Sequence, residues 1–121
     1  MSDAAVTLTF PATPPSFNAV GHTGNRWTWT REKKLWQGYI EMLLIKEQLP
    51  RETYTFIEAS AILTFPTKRK RDEGNYRTLL EKVTGDALVN GKWLPDDDPT
   101  HFKFNGVEFE QGDPCTCLIL R

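Results

Sequence analysis

Two acid-bearing stretches frame the chemistry open to this chain. In the first, KRKRDEGN (Lys68 to Asn75), four consecutive bases run into Asp72 and Glu73; in the second, WLPDDDP (Trp93 to Pro99), Asp96, Asp97 and Asp98 follow a Trp-Leu-Pro turn. Hard oxygen donors drawn from two segments are what Mg²⁺ or Mn²⁺ requires, with several waters kept in the coordination shell. Bases beside such acids hold phosphate by charge and hydrogen bonding, and a divalent ion there polarises a phosphodiester and acidifies an attacking water. The same basic run is also what a solvated loop guarding a strand end looks like.

Between the two stretches, Tyr76, Leu79, Leu80, Val83 and Ala87 recur at helical spacing and predict a helix from Asn75 to about Val89. At about 100° per residue, Lys82 and Asp86 fall within about 20° of Asn75 along one edge of that apolar stripe. Three polar groups would then line up beside buried surface, although Lys82 and Asp86 are also an ordinary i,i+4 surface pair.

The remaining elements must position these groups. AVTLTF (Ala5 to Phe10) alternates as a strand and is stopped by the proline-rich PATPPSFN. From Thr30, an N-cap candidate, TREKKLWQGYIEMLLIKEQ predicts a first helix with Leu35, Tyr39, Met42, Leu43 and the stem of Lys46 on its apolar side, ended near Leu49-Pro50. Thr53 to Pro66 reads as a long strand delivering the basic loop, HFKFNGVEFEQ as a strand interrupted by a turn, and CTCLIL as the last strand. Alternation puts Cys115 and Cys117 on one face, expected as buried small residues rather than a disulfide or a zinc site. Trp27, Trp29 and Trp36 are expected in core or dimer packing rather than stacked on unpaired bases, and His22 and His101 at the surface.

The expected fold is α/β (α+β): one domain over residues 1–121, with a mixed sheet of four or five strands against two helices. With 39% hydrophobic and 26% charged residues the composition is that of a globular protein and excludes disordered and fibrous classes. The net charge of −1 gives no global attraction to nucleic acid, so polyanion binding has to come from a local cluster. No apolar run is long enough to cross a membrane, and MSDAAVTLTF lacks the marks of a signal peptide, so a cytoplasmic protein is expected.

Taken in order, Arg69-Lys70-Arg71-Asp72-x-x-Asn75, a helix holding Asp86-Ala87-Leu88, then Trp93-Leu94 and Asp96-Asp97, together with Pro14-Pro15-Ser16-x-Asn18, resemble the RusA-type Holliday-junction resolvases of bacteria and phages. The resemblance spans most of the chain. It implies a RusA-like fold and a homodimeric, Mg²⁺-dependent endodeoxyribonuclease, with Mn²⁺ as substitute, that resolves four-way DNA junctions by paired nicks in recombination and repair. The family's metal-binding acids carry over onto Asp72 and Asp97. Gly74 occupies the place of the family's second aspartate, which leaves Glu73, Asp86, Asp96 or Asp98 as the replacement. Glu81 ranks lower within one protomer, lying about 240° from Asn75. The interval from Asn75 to Asp86 is about one helical turn longer than in the family; the catalytic lysine's place falls at Thr78, and Lys82 one turn later restores it. Asn75 completes the expected catalytic set; Lys68, Arg69, Lys70 and Arg71, with Asn18 and Arg26, are the expected DNA contacts. Because a carboxylate is missing at Gly74, a catalytically silent RusA-like protein that still binds branched DNA is the alternative reading.

Overall fold

The computed structural model describes residues 5–16, 26–50 and 53–121. Its elements are Val6–Phe10 (β1), Arg26–Lys46 (α1), Ile57–Phe65 (β2), Gly74–Asn90 (α2), Phe102–Gln111 (β3) and Cys115–Leu120 (β4), the order expected from the sequence. The strands form one mixed sheet in the order β1-β4-β2-β3, with β4 antiparallel to β1 and β2, and β3 parallel to β2. Parallel neighbours cannot be joined by a hairpin, and α2 makes the crossover between them. That crossover places the basic loop at the end of the sheet where β2 and β3 finish, tied there by Gly112 N–H donating to Phe65 O at 2.9 Å. The Asp96–Asp98 loop returns to the opposite end, where Ile57 N–H donates to His101 O at 2.9 Å.

Alternation decides which sheet face is covered. Ile57, Ala59, Ala61 and Leu63 of β2, with Leu118 and Leu120 of β4, are buried under the helices, whereas Glu58, Ser60, Ile62 and Thr64 are half-buried on the other face. The α2 stripe Tyr76, Leu79, Leu80, Val83 and Ala87 enters the core as its spacing predicts. Behind it Trp93 is fully buried, its Nε1–H donating to Leu49 O at 3.4 Å. Gly91 is required there, since a Cβ would sit 1.9 Å from the Trp93 ring.

Three expectations change. The first helix begins at Arg26 rather than after Thr30, and it buries Trp36, Ile40 and Leu44 while leaving Leu35, Tyr39 and Met42 exposed. Two apolar stripes lie about one residue apart on this helix, and the one carrying the bulky Trp36, in ring contact with Phe10 at 5.3 Å, takes the core side. The helix stops in a Schellman turn: Gln48 takes φ +59, Gln48 N–H donates to Ile45 O, and Leu49 N–H to Leu44 O. The turn expected within HFKFNGVEFEQ is instead a bulge in a continuous strand. The register slips between Ala59↔Phe104 and Ala61↔Val107, and Gly106 absorbs the extra residue with φ +146. Val107 N–H, freed by the bulge, donates to Glu73 Oε2 at 2.9 Å. Finally, Cys115 and Cys117 are half-buried on the uncovered face, because Thr116, Leu118 and Leu120 hold the core phase of β4. Burial, with the neighbouring Cys117 thiol, pushes the Cys115 thiol above its usual range.

Candidate active site

Helix α2 opens on Asp72. Its Oδ1 accepts the Gly74 N–H at 3.1 Å and its carbonyl accepts the Asn75 N–H at 3.1 Å, so this acid caps the first turn. Glu73 turns the other way, to the β3 bulge and to Arg77 (3.7 Å), and is therefore engaged in holding the sheet. The basic loop splits likewise. Lys68, Arg69 and Lys70 are exposed, whereas Arg71 folds back, donating to Thr67 O at 3.1 Å and Thr67 Oγ1 at 3.3 Å and stacking 3.8 Å over the Phe65 ring. Arg71 thus shapes the loop, and Lys68, Arg69 and Lys70 are left facing solvent. Asn18, His22 and the Arg26 side chain lie outside the described residues.

Farther along α2, an open groove of about 430 Å³ is lined by Gly74, Arg77, Thr78, Glu81, Lys82, Asp97 and Phe102. Two of the loop acids shape the turn: Asp96 Oδ1 accepts Asp97 N–H at 2.7 Å and Asp98 Oδ1 accepts Thr100 N–H at 3.0 Å. Asp97 instead lies over Gly85, where a Cβ would come within 3.1 Å of its Oδ2. Glu81 is positioned by Arg77, whose Nε donates to Glu81 Oε1 at 2.9 Å while Nη2 donates to Phe104 O at 2.6 Å. Lys82 Nζ sits 3.2 Å from Asp86 Oδ1. Asp86 and Asp97 also share the adjoining hollow with Gln37, Val89 and Asn90. Lys82 and Asp86 thereby pair as the helix spacing suggests, and Asp97 lines a hollow with each of them.

Asp72 and Asp97 are not gathered. A Cβ at Gly74 would stand 3.5 Å from Asp72 Oδ1 and one at Gly85 3.1 Å from Asp97 Oδ2. Those glycines are separated by about 16 Å of helix rise on nearly one face, which keeps the two carboxylate oxygens at least about 10 Å apart. Oxygens that share one Mg²⁺ lie no more than about 4.2 Å apart, so these two acids of one protomer do not hold one ion. The crossover is the cause, since it puts one acid before α2 and the other after it. Asn75 is half-buried and does not line the groove.

No family model and no curated protein matches the chain.

Among the described residues, no three His, Cys, Asp or Glu side chains converge to hold a metal. Mg²⁺, however, is held by one or two carboxylates completed by water and substrate phosphate. Asp97 and Glu81 both line the groove, Glu81 paired there with Arg77, whereas Asp72 caps a helix, Asp86 pairs with Lys82, and Asp96 binds the loop backbone. Glu81, which the sequence reading ranks lower, lines this groove. Measured from Gly74 instead of Asn75 it lies about 20° away and two turns on, on the face where the missing carboxylate would stand.

Proposed function

We propose that the chain is a Mg²⁺-dependent, structure-selective endodeoxyribonuclease that nicks branched DNA, in the manner the RusA resemblance implies. The observation that carries this reading is the α2 groove, which is lined by Glu81 and Lys82 of the helix that the Lys68–Lys70 loop leads into and by Asp97 of the loop that follows that helix. Asp97 and Glu81 are the residues that would hold the ion, which supplies Lewis-acid polarisation of a phosphodiester and a more acidic water. The exposed loop cations hold the backbone and set its register, without reading sequence. Lys82 neutralises charge gathering on the transferring phosphate; its pair with Asp86 is half-exposed, and such pairs are worth about 0–1 kcal/mol, so phosphate competes for the ammonium. Paired nicks on a two-fold junction call for two equivalent grooves, hence a C2 homodimer. No described helix is long and apolar enough to cross a membrane, and we place the activity in the cytoplasm.

The test is a labelled four-way junction incubated with the protein in Mg²⁺, Mn²⁺ or EDTA. Paired metal-dependent nicks that disappear in Asp97→Asn support the nuclease; absence of nicks in both metals at protein excess overturns it. The second reading, a binder without cutting, is favoured by Gly74 and by a gap between Asp72 and Asp97 of at least about 10 Å, more than twice what one ion spans. It predicts a retarded junction that stays intact.

A further inference from the structure

The uncovered sheet face carries the two thiols, and nothing in the groove chemistry uses them. Cys115 and Cys117 occupy alternate positions of β4, with Sγ atoms 4.0 Å apart, and both are half-buried and so within reach of a small solute. Their cross-strand neighbours are uncharged: Thr64 opposite Cys115, and Ile62 and Thr9 opposite Cys117. Thr9 Oγ1 lies 4.0 Å from Cys117 Sγ.

The two thiols are already in hydrogen-bonding contact, and three fates of such a pair differ in the sulfur spacing they demand. A disulfide needs sulfurs about 2.05 Å apart and Cα atoms usually within about 6.8 Å. Residues two apart on an extended strand sit at about that upper limit, so closing the bond would buckle a strand held on both sides. A linear two-coordinate ion would spread the sulfurs to about twice the metal–sulfur length, near 4.6 Å for a 2.3 Å bond. A tetrahedral thiolate ion with the same bond holds them about 3.8 Å apart, the nearest match to the observed distance.

We infer that Cys115 and Cys117 form a bidentate site for a soft, tetrahedral d¹⁰ cation such as Zn²⁺ or Cd²⁺, on the sheet face opposite the helices. Each thiol gives up its proton to solvent as its sulfur–metal bond forms, no electron is transferred, and water fills the two remaining positions. This site is independent of the groove and holds whether or not the chain cuts DNA. Carboxylates prefer hard ions and thiolates soft ones, so excess Mg²⁺ leaves it open.

The decisive experiment titrates the full chain with Cd²⁺ in excess Mg²⁺ and follows the thiolate-to-metal charge-transfer band. One equivalent is expected to saturate the band, and Cys115→Ser or Cys117→Ser should each weaken binding on the order of a hundredfold, the advantage two linked donors hold over one. No band at stoichiometric Cd²⁺, or single variants that bind like the parent, would overturn the site. A count of reactive thiols on the unaltered chain guards against misfolded variants. Zn²⁺ should mask both thiols and EDTA should release them; thiols that Zn²⁺ leaves reactive would refute it.

Discussion

At the level of single residues, the acids separate into those that bind backbone and those that face the groove, and substitutions report the difference. Asp97→Asn and Glu81→Gln remove a charge from the groove without removing a fold contact to the main chain, so each should abolish metal-dependent nicking while melting within a degree or two of the parent. A parental cutting rate in either variant would remove that residue from the site. Asp72→Ala should act chiefly through stability, costing about 1 kcal/mol because Gly74 N–H loses its side-chain acceptor, whereas Asp72→Asn keeps a capping oxygen and should be close to neutral. Urea denaturation of both variants decides this. Equal losses would show that the carboxylate's charge, and not its capping oxygen, matters at this position.

At the level of elements, the β3 bulge and the start of α2 are one device. Gly106 adopts φ +146, Glu73 lies 3.0 Å from where its Cβ would stand, and the same carboxylate accepts the Val107 N–H. Gly106→Ala should therefore destabilise the protein by about 1–3 kcal/mol, by forcing a side chain into a backbone region that L-residues avoid. Glu73→Leu should cost a similar 1–3 kcal/mol or so, by leaving a part-buried donor unpaired. Gly85→Ala tests the groove from the helix side. The added methyl would meet Asp97 Cβ and Oδ2 at 3.1 Å, so it should shift that carboxylate and lower the cutting rate with little change in junction affinity. For the basic loop, neutralising Lys68, Arg69 and Lys70 one at a time should each lower the salt-dependence slope of DNA binding by roughly 0.9. Arg71→Ala should instead loosen the loop itself, because its guanidinium is spent on Thr67 and Phe65.

At the level of the whole molecule, the described residues leave two broad surfaces open: the sheet face away from the helices and the outer side of α1, where Leu35, Tyr39, Met42 and Ile45 are 44–54% exposed. If two grooves act on one junction, sedimentation should give a particle of twice the 13.9 kDa chain mass, and a strictly monomeric protein would be incompatible with paired cuts from one complex. The order of elements, the α2 stripe and the alternation of β2 and β4 are legible in the sequence, because period and propensity are local properties. So is the gathering of Lys82 with Asp86, which needs only helix geometry. The choice between the two α1 stripes is not local, since it depends on which one the rest of the core covers. Nor is the distance from Asp72 to Asp97, which the parallel β2-α2-β3 crossover sets by stretching a whole helix between them, nor the outward turn of both cysteines. The sequence by itself determined which elements form and on which of them the acids and bases ride; only the tertiary structure decided which of them meet, because the pairing and direction of strands is a long-range contact that no local period encodes.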